Sequence, residues 1–289
     1  MSPAPATTTR AVPVVRGTGF SEFARAHPLG AFVAVTFAFS WAFEVIAFAV
    51  LDLTFEVGVI VAAFGPAVGA YAVIRAIDGP DGVRAWFRRF VQWRVDPRLY
   101  LFVLVGMPAV VIASFAFLSD GSDKLGDAGA AFPLSFLGML VILSLLGGGQ
   151  EEPGWRGFAL PRMLKRWGPV EASVRLGVVW AVWHLPLFVV VSDYDNAGTE
   201  VVSVVGMFFV FLLGLTIGFS ILQTWLYHRS GGSIFLAVLA HGAVNASTNF
   251  LPTTWLPTAA AFAAIGLLSV VVVVATHGRL GAPDSRSAT

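Results

Sequence analysis

Long stretches almost free of charge alternate along this chain with short connections that hold nearly all of it. A helix needs about 20 consecutive apolar residues to cross the hydrocarbon core of a bilayer. Eight stretches approach or exceed that length, at residues 29–51, 54–75, 99–118, 133–150, 172–192, 201–227, 234–250 and 258–276. The pattern predicts an all-α polytopic membrane protein, a bundle of about eight transmembrane helices. The seventh stretch, "IFLAVLAHGAVNASTNF", is short and rich in small residues, which suits a helix buried within the bundle. Gly65-Pro66 in "AAFGPAVGAY" predicts a kink and close helix packing.

Composition strengthens this reading. The 289 residues are 57% hydrophobic and 12% charged, with a mean hydropathy of +0.80. A soluble protein would need far more charge to cover its surface. The chain has no Cys, which excludes disulfides, thiolate nucleophiles and Cys-based metal sites.

The net charge of +1 says little, but its distribution sets an orientation. Arg10, Arg16 and Arg25 precede the first span. Arg75, Arg84, Arg88, Arg89, Arg94 and Arg98 fall in the second connection, and Arg156, Arg162, Lys165, Arg166 and Arg175 in the fourth. Arg229 lies in the sixth, and Arg279 and Arg286 in the C-terminal tail. Together these are 17 of the 18 Lys and Arg residues. The alternate connections hold only Lys124 and are acidic: Asp52, then Asp120, Asp123 and Asp127, then Asp193, Asp195 and Glu200. The positive-inside rule then places both termini in the cytoplasm. The expected setting is the plasma membrane of a bacterium. Residues 1–28 read as a mobile Pro/Ala/Thr-rich tail without a signal peptide, 29–276 as the membrane domain, and 277–289 as a second tail. "GVRAWFRRFVQWRV" (82–95) mixes Arg with aromatics, as an interfacial amphipathic helix does. Nothing suggests nucleic-acid binding, Asp193 and Asp195 read as a solvated outer loop, and oligomeric state is not legible.

Ionisable side chains inside a bilayer are costly, so each is a functional candidate. His184 and His241 lie within spans. Counting from the basic ends of their helices, each sits roughly 14 to 16 Å deep at 1.5 Å per residue. Asn245 follows His241 by one turn on the same helix face. "GGGQEEPGWRGF" (147–158) ends the fourth stretch and brings Glu151, Glu152 and Arg156. A straight fourth helix would leave Glu151 shallower than the two His; tilt, or a break at the glycine triplet, would hold it deeper. Glu152 and Arg156 stand at i,i+4 and form an ion pair, which frees Glu151 to act. The matched depths also place substrate access in the cytoplasmic half. Glu44 lies in the outer half and reads as a structural group, protonated or hydrogen-bonded to a neighbouring helix.

Glu151, Glu152, Arg156, His184, His241 and Asn245 are the parts for adding water to an acyl carbon: a carboxylate base, imidazoles that share the proton, and donors for an oxyanion. No HExxH is present, and no intramembrane Ser sits in a GxSxG setting.

"EEPGWR" (151–156) matches EExxxR, "WAVWH" (180–184) resembles FxxxH and "HGAVN" (241–245) matches HxxxN. In this order, on successive helices, the motifs resemble the CPBP family: CAAX-prenyl proteases and bacteriocin-processing (Abi) proteins. The resemblance covers roughly residues 130–250. It implies an intramembrane protease acting on a membrane-associated peptide or protein tail. Glu151 would activate water with His184, His241 and Asn245 would stabilise the oxyanion, and Glu152 and Arg156 would orient the site. Trp180 stands where the family has Phe, which bears on the shape of the pocket. The family is often labelled as metalloproteases, and Glu151, His184 and His241 are the residues that would hold Zn2+; a metal-free glutamate mechanism uses the same side chains. A prenyl substrate is not implied. Two rival readings are a non-proteolytic scaffold that binds a membrane partner and a proton-coupled transporter, which would need a polar path reaching both faces.

Overall fold

The computed structural model describes residues 19–116, 129–194, 201–250 and 255–283. All regular structure among these residues is helical. Helices α1 (Gly19–Ala26), α2 (Pro28–Val45), α3 (Phe55–Ala62), α4 (Gly65–Ile77) and α5 (Gly79–Arg88) come first. Next are α6 (Pro97–Leu101), α7 (Met107–Ala116), α8 (Phe132–Leu146), α9 (Glu152–Gly154) and α10 (Leu160–Met163). The series closes with α11 (Pro169–Trp183), α12 (Leu185–Tyr194), α13 (Val201–Val210), α14 (Gly218–Arg229), α15 (Ile234–Thr248) and α16 (Trp255–Ala275).

Among the described residues, six helical stretches are long and apolar enough to cross a membrane: Pro28–Val50, Phe55–Ile77, Pro97–Ala116, Phe132–Met163, Val204–Arg229 and Leu256–Ala275. The shorter apolar Ile234–Thr248 and the pair α11–α12 account for the other two of the eight expected segments. The fifth segment is not one helix. Pro186 has no N–H for the carbonyl four residues back, so α11 stops at His184 and the helix restarts at Leu185.

The second segment breaks at Ala63-Phe64, just before Gly65-Pro66, as the sequence suggests. Close approach explains the glycine: a Cβ at Gly65 would lie 2.0 Å from Ser40 Oγ on α2. Ser40 in turn donates to the Ala62 carbonyl at 2.7 Å, a backbone acceptor near this break.

The N-terminal tail is partly structured. Residues 1–18 lie outside the described region, but Gly19–Ala26 forms a helix with Ala24 and Ser21 buried. Beyond α16, Leu280 is fully buried and its carbonyl takes a hydrogen bond from His228 Nδ1 at 2.9 Å. The first residues of the C-terminal tail are therefore packed. Asp193 lies on α12, not in a loop, and Asp195 lies outside the described residues.

α15 is largely enclosed by its neighbours. Ten of its residues, from Ile234 to Ser247, are buried. Its start is fixed by Ser233, whose Oγ accepts from the Leu236 N–H at 3.1 Å and donates to the Gln92 carbonyl at 2.6 Å.

Candidate active site

The fourth segment enters as α8 and ends at Leu146. Gly148 then takes φ +118°, a conformation closed to side chains with a Cβ, and turns the chain. A short 3-10 turn (Gly149–Glu151) and α9 follow, then a π-helical turn (Trp155–Ala159) and α10. The break at the glycine triplet is thus present, and every residue from Gly148 to Leu160 is buried. This buried, restarted segment carries Glu151, Glu152 and Arg156 at the level of the histidines.

Glu151, Trp180, His184, His241 and Asn245 line one cavity of about 510 Å³. Each then has a specific tether. Glu151 Oε2 accepts from the indole N–H of Trp180 at 2.7 Å and from that of Trp155 at 3.1 Å. Both donors fall on the same oxygen. His184 Nδ1 meets the Trp180 carbonyl at 2.8 Å. A carbonyl only accepts, so Nδ1 is the protonated nitrogen, and in the neutral ring Nε2 carries the lone pair. His184 can present this nitrogen because it stands at the break between α11 and α12.

Glu152 is fully buried. Its Oε1 takes both Arg156 Nη1 at 2.9 Å and His241 Nδ1 at 2.7 Å. The expected i,i+4 ion pair is therefore real, but it is interior and it also orients His241. Arg156 is completed by Ser220 Oγ on α14 at 3.0 Å and lies 5.0 Å from the Trp180 ring centre. Glu152 Oε2 and Arg156 Nε have no hydrogen-bond partner among the described residues. Asn245 Nδ2 donates to the Gly147 carbonyl at 2.5 Å. The chain at Gly148 presses on both oxyanion candidates: a Cβ there would lie 2.5 Å from His241 Nε2 and 2.7 Å from Asn245 Nδ2.

All seven residues singled out from the sequence thus meet in one place. Sequence reasoning missed four more. Trp155 stands four residues after Glu151, as Arg156 does after Glu152, so the same spacing held the signal. Gly148 was visible in the glycine triplet. Ser220 has no surrounding motif. Gln150, whose Oε1 accepts from the Gly148 N–H at 2.9 Å, sits in the same quoted stretch.

Two expectations change. Trp180 does more than shape the pocket, because its indole N–H holds the carboxylate and a Phe would have none. Glu44 keeps to its expectation: it is 2% exposed and its Oε2 has no hydrogen-bond partner among the described residues, as suits the protonated alternative. The cavity also runs away from the basic connections. Its far lining includes Asn249 and Thr258, at the opposite ends of α15 and α16, while the buried Glu151–Leu160 segment closes the basic side.

Zinc needs its protein ligands converged on one point. Among the described residues no three His, Asp or Glu side chains stand close enough to hold a metal ion. Glu151, His184 and His241 share a cavity without forming such a set, and Glu151 Oε2 is already taken by two indoles. The residues present do not fit the ion in this arrangement.

Residues 133–247 match the family model described as "Type II CAAX prenyl endopeptidase Rce1-like". The matched stretch is less than half of the chain, and it contains all three motifs and every site side chain singled out above. "CAAX prenyl protease 2" of Methanococcus maripaludis is 32% identical over 156 residues, 53% of this chain and 56% of that relative. The match therefore spans a little over half of the relative's length. The family resemblance read from the motif order falls on the same stretch.

Proposed function

We propose that this protein is an intramembrane endopeptidase that hydrolyses a peptide bond in a membrane-associated peptide or protein tail. One observation carries the reading: a carboxylate, two imidazoles and a carboxamide line a single cavity inside an apolar bundle, each held by its own hydrogen bond.

The chemistry follows from those tethers. Water lies between the Glu151 carboxylate and His184 Nε2. As its oxygen attacks the scissile carbonyl carbon, its proton passes to this pair, with Glu151 as base. The carbonyl oxygen gains charge as the carbon becomes tetrahedral. Asn245 Nδ2 has a second N–H to offer it, and His241 offers Nε2–H when doubly protonated. Collapse breaks the C–N bond, and the proton held by Glu151 and His184 goes to the leaving amine. Glu152 and Arg156 touch no reacting atom. They hold His241 and, through the shared backbone, Glu151.

The geometry favours the metal-free version, because the donor set does not converge on an ion. The substrate enters from the side opposite the basic connections, where the cavity extends. If those connections are cytoplasmic, that is the outer half of the bilayer.

Purified protein in proteoliposomes, given lipid-tethered peptides with and without a prenyl group, tests the reading by mass spectrometry of products. Cleavage of either set supports it, and the comparison defines the substrate. Intact peptides in every case would favour the scaffold reading.

A further inference from the structure

The sequence pattern places the segment from Gly82 to Val95 at the membrane interface. Its other face holds the site. Trp86 is buried, and its indole N–H donates to the Pro153 carbonyl at 3.1 Å. Gln92 Nε2 donates to the Ser230 carbonyl at 2.9 Å. Between them stands Arg89. Its Nη1 donates to the Gly157 carbonyl at 2.9 Å, its Nη2 to the Arg156 carbonyl at 3.3 Å, and its Nε to the Gly232 carbonyl at 2.8 Å. The guanidinium also lies 5.5 Å from the Tyr227 ring centre.

The three acceptors belong to the two halves of the site. Arg156 and Gly157 lie in the π-helical turn that follows Glu151 and Glu152. Helical continuation would satisfy their carbonyls from four or five residues onward, and Pro161 has no N–H to give to either. Gly232 lies in the turn that leads into α15, which carries His241 and Asn245. A planar guanidinium can span three carbonyls in fixed directions, whereas an ammonium is a point charge on a flexible stem.

We propose that Arg89 is a positioning residue that sets the distance between the carboxylate segment and the helix bearing His241 and Asn245. It touches no reacting atom. It acts by joining the Arg156–Gly157 backbone to the Gly232 turn, so that the Glu152–His241 contact and the approach of Gly148 to Asn245 keep one register. The catalytic consequence rests on the hydrolase reading; the positional one does not.

The chain lacks Cys, so a labelled pair is unique. Lys165→Cys and Phe235→Cys, both exposed positions on the two joined segments, take spin labels. Their distance distribution is measured by pulsed electron resonance in three backgrounds: native Arg89, R89K and R89A. Peptide cleavage is followed in the same backgrounds without the labels. A narrow distribution with Arg89 that broadens or shifts in R89K and R89A is expected. So is a kcat lowered about tenfold or more with KM nearly unchanged, and partial recovery of R89A by added guanidinium ion but not by ammonium. An unaltered distance distribution would overturn the proposal, and so would an unaltered kcat in a protein whose wild type cleaves. If R89A does not fold, R89K gives the same decision. If the wild type does not cleave, the hydrolase reading fails and the distance measurement alone decides the role of Arg89.

Discussion

The indole N–H of Trp180 donates to Glu151 Oε2 at 2.7 Å, and the carbonyl of the same Trp accepts from His184 Nδ1 at 2.8 Å. One residue thus orients both members of the proposed base pair. Trp180→Phe keeps an aromatic side chain and the backbone carbonyl but loses the pyrrole part of the indole with its N–H. A hydrogen bond to a charged group contributes about 1.5–3 kcal/mol. Loss of roughly ten- to a hundredfold in kcat/KM is expected, with thermal unfolding little changed. Steady-state kinetics on a tethered peptide measure it.

Trp155→Phe removes the second donor on the same oxygen. The two losses share one acceptor, so they should not add. A double variant whose kcat/KM equals the product of the single effects would show that the indoles act independently.

Gly148→Ala tests the approach of the glycine turn to His241 and Asn245, the proposed oxyanion donors. The added methyl would sit 2.5 Å from His241 Nε2 at a backbone φ of +118°. Strain of this kind costs about 1–3 kcal/mol, while displaced oxyanion donors cost roughly a hundredfold or more in kcat. Activity should fall much further than stability, as read by peptide cleavage and by tryptophan fluorescence during heating.

Arg156→Met breaks a buried ion pair and leaves Glu152 without its cation. Removing one partner of such a pair costs about 3–5 kcal/mol. The midpoint of thermal unfolding in detergent should drop by several degrees. Arg156→Met combined with Glu152→Leu should recover part of that drop, because no unpaired charge then remains.

The direction of access has its own test. Asn249→Cys introduces a lone thiol at the exposed end of α15, and Lys165→Cys places one on the basic side. A bulky membrane-impermeant thiol reagent should modify the first from the cell exterior and inhibit cleavage, and should reach the second only after lysis. The opposite pattern would put the cavity mouth on the cytoplasmic side.

The membrane bundle was legible because charge and apolar length are written residue by residue. The site was legible as three spaced motifs, and matched helix depth brought His184 and His241 together before any coordinates. What stayed hidden depends on the third dimension. Ser220 and Arg89 reach the site from other segments, and no local pattern marks them. The break that lowers Glu151 into the bundle could be suspected from three glycines, but its consequence required the fold. Cavity direction was not legible, because depth along a helix does not tell which end of a polar cluster is closed; the lining runs on to Asn249 and Thr258, and the residues from Glu151 to Leu160 are buried.

Glutamate-dependent hydrolysis is the centre of this account, and one measurement addresses it most directly. Wild type and Glu151→Gln are incubated with a cleavable membrane-tethered peptide in oxygen-18 water, with and without a strong zinc chelator, and the products are weighed by mass spectrometry. The account predicts a heavy-oxygen carboxyl terminus from the wild type, equal with and without chelator, and none from Glu151→Gln. Cleavage by Glu151→Gln at the wild-type rate would contradict the role of Glu151, and cleavage abolished by the chelator and restored by zinc would contradict the metal-free mechanism.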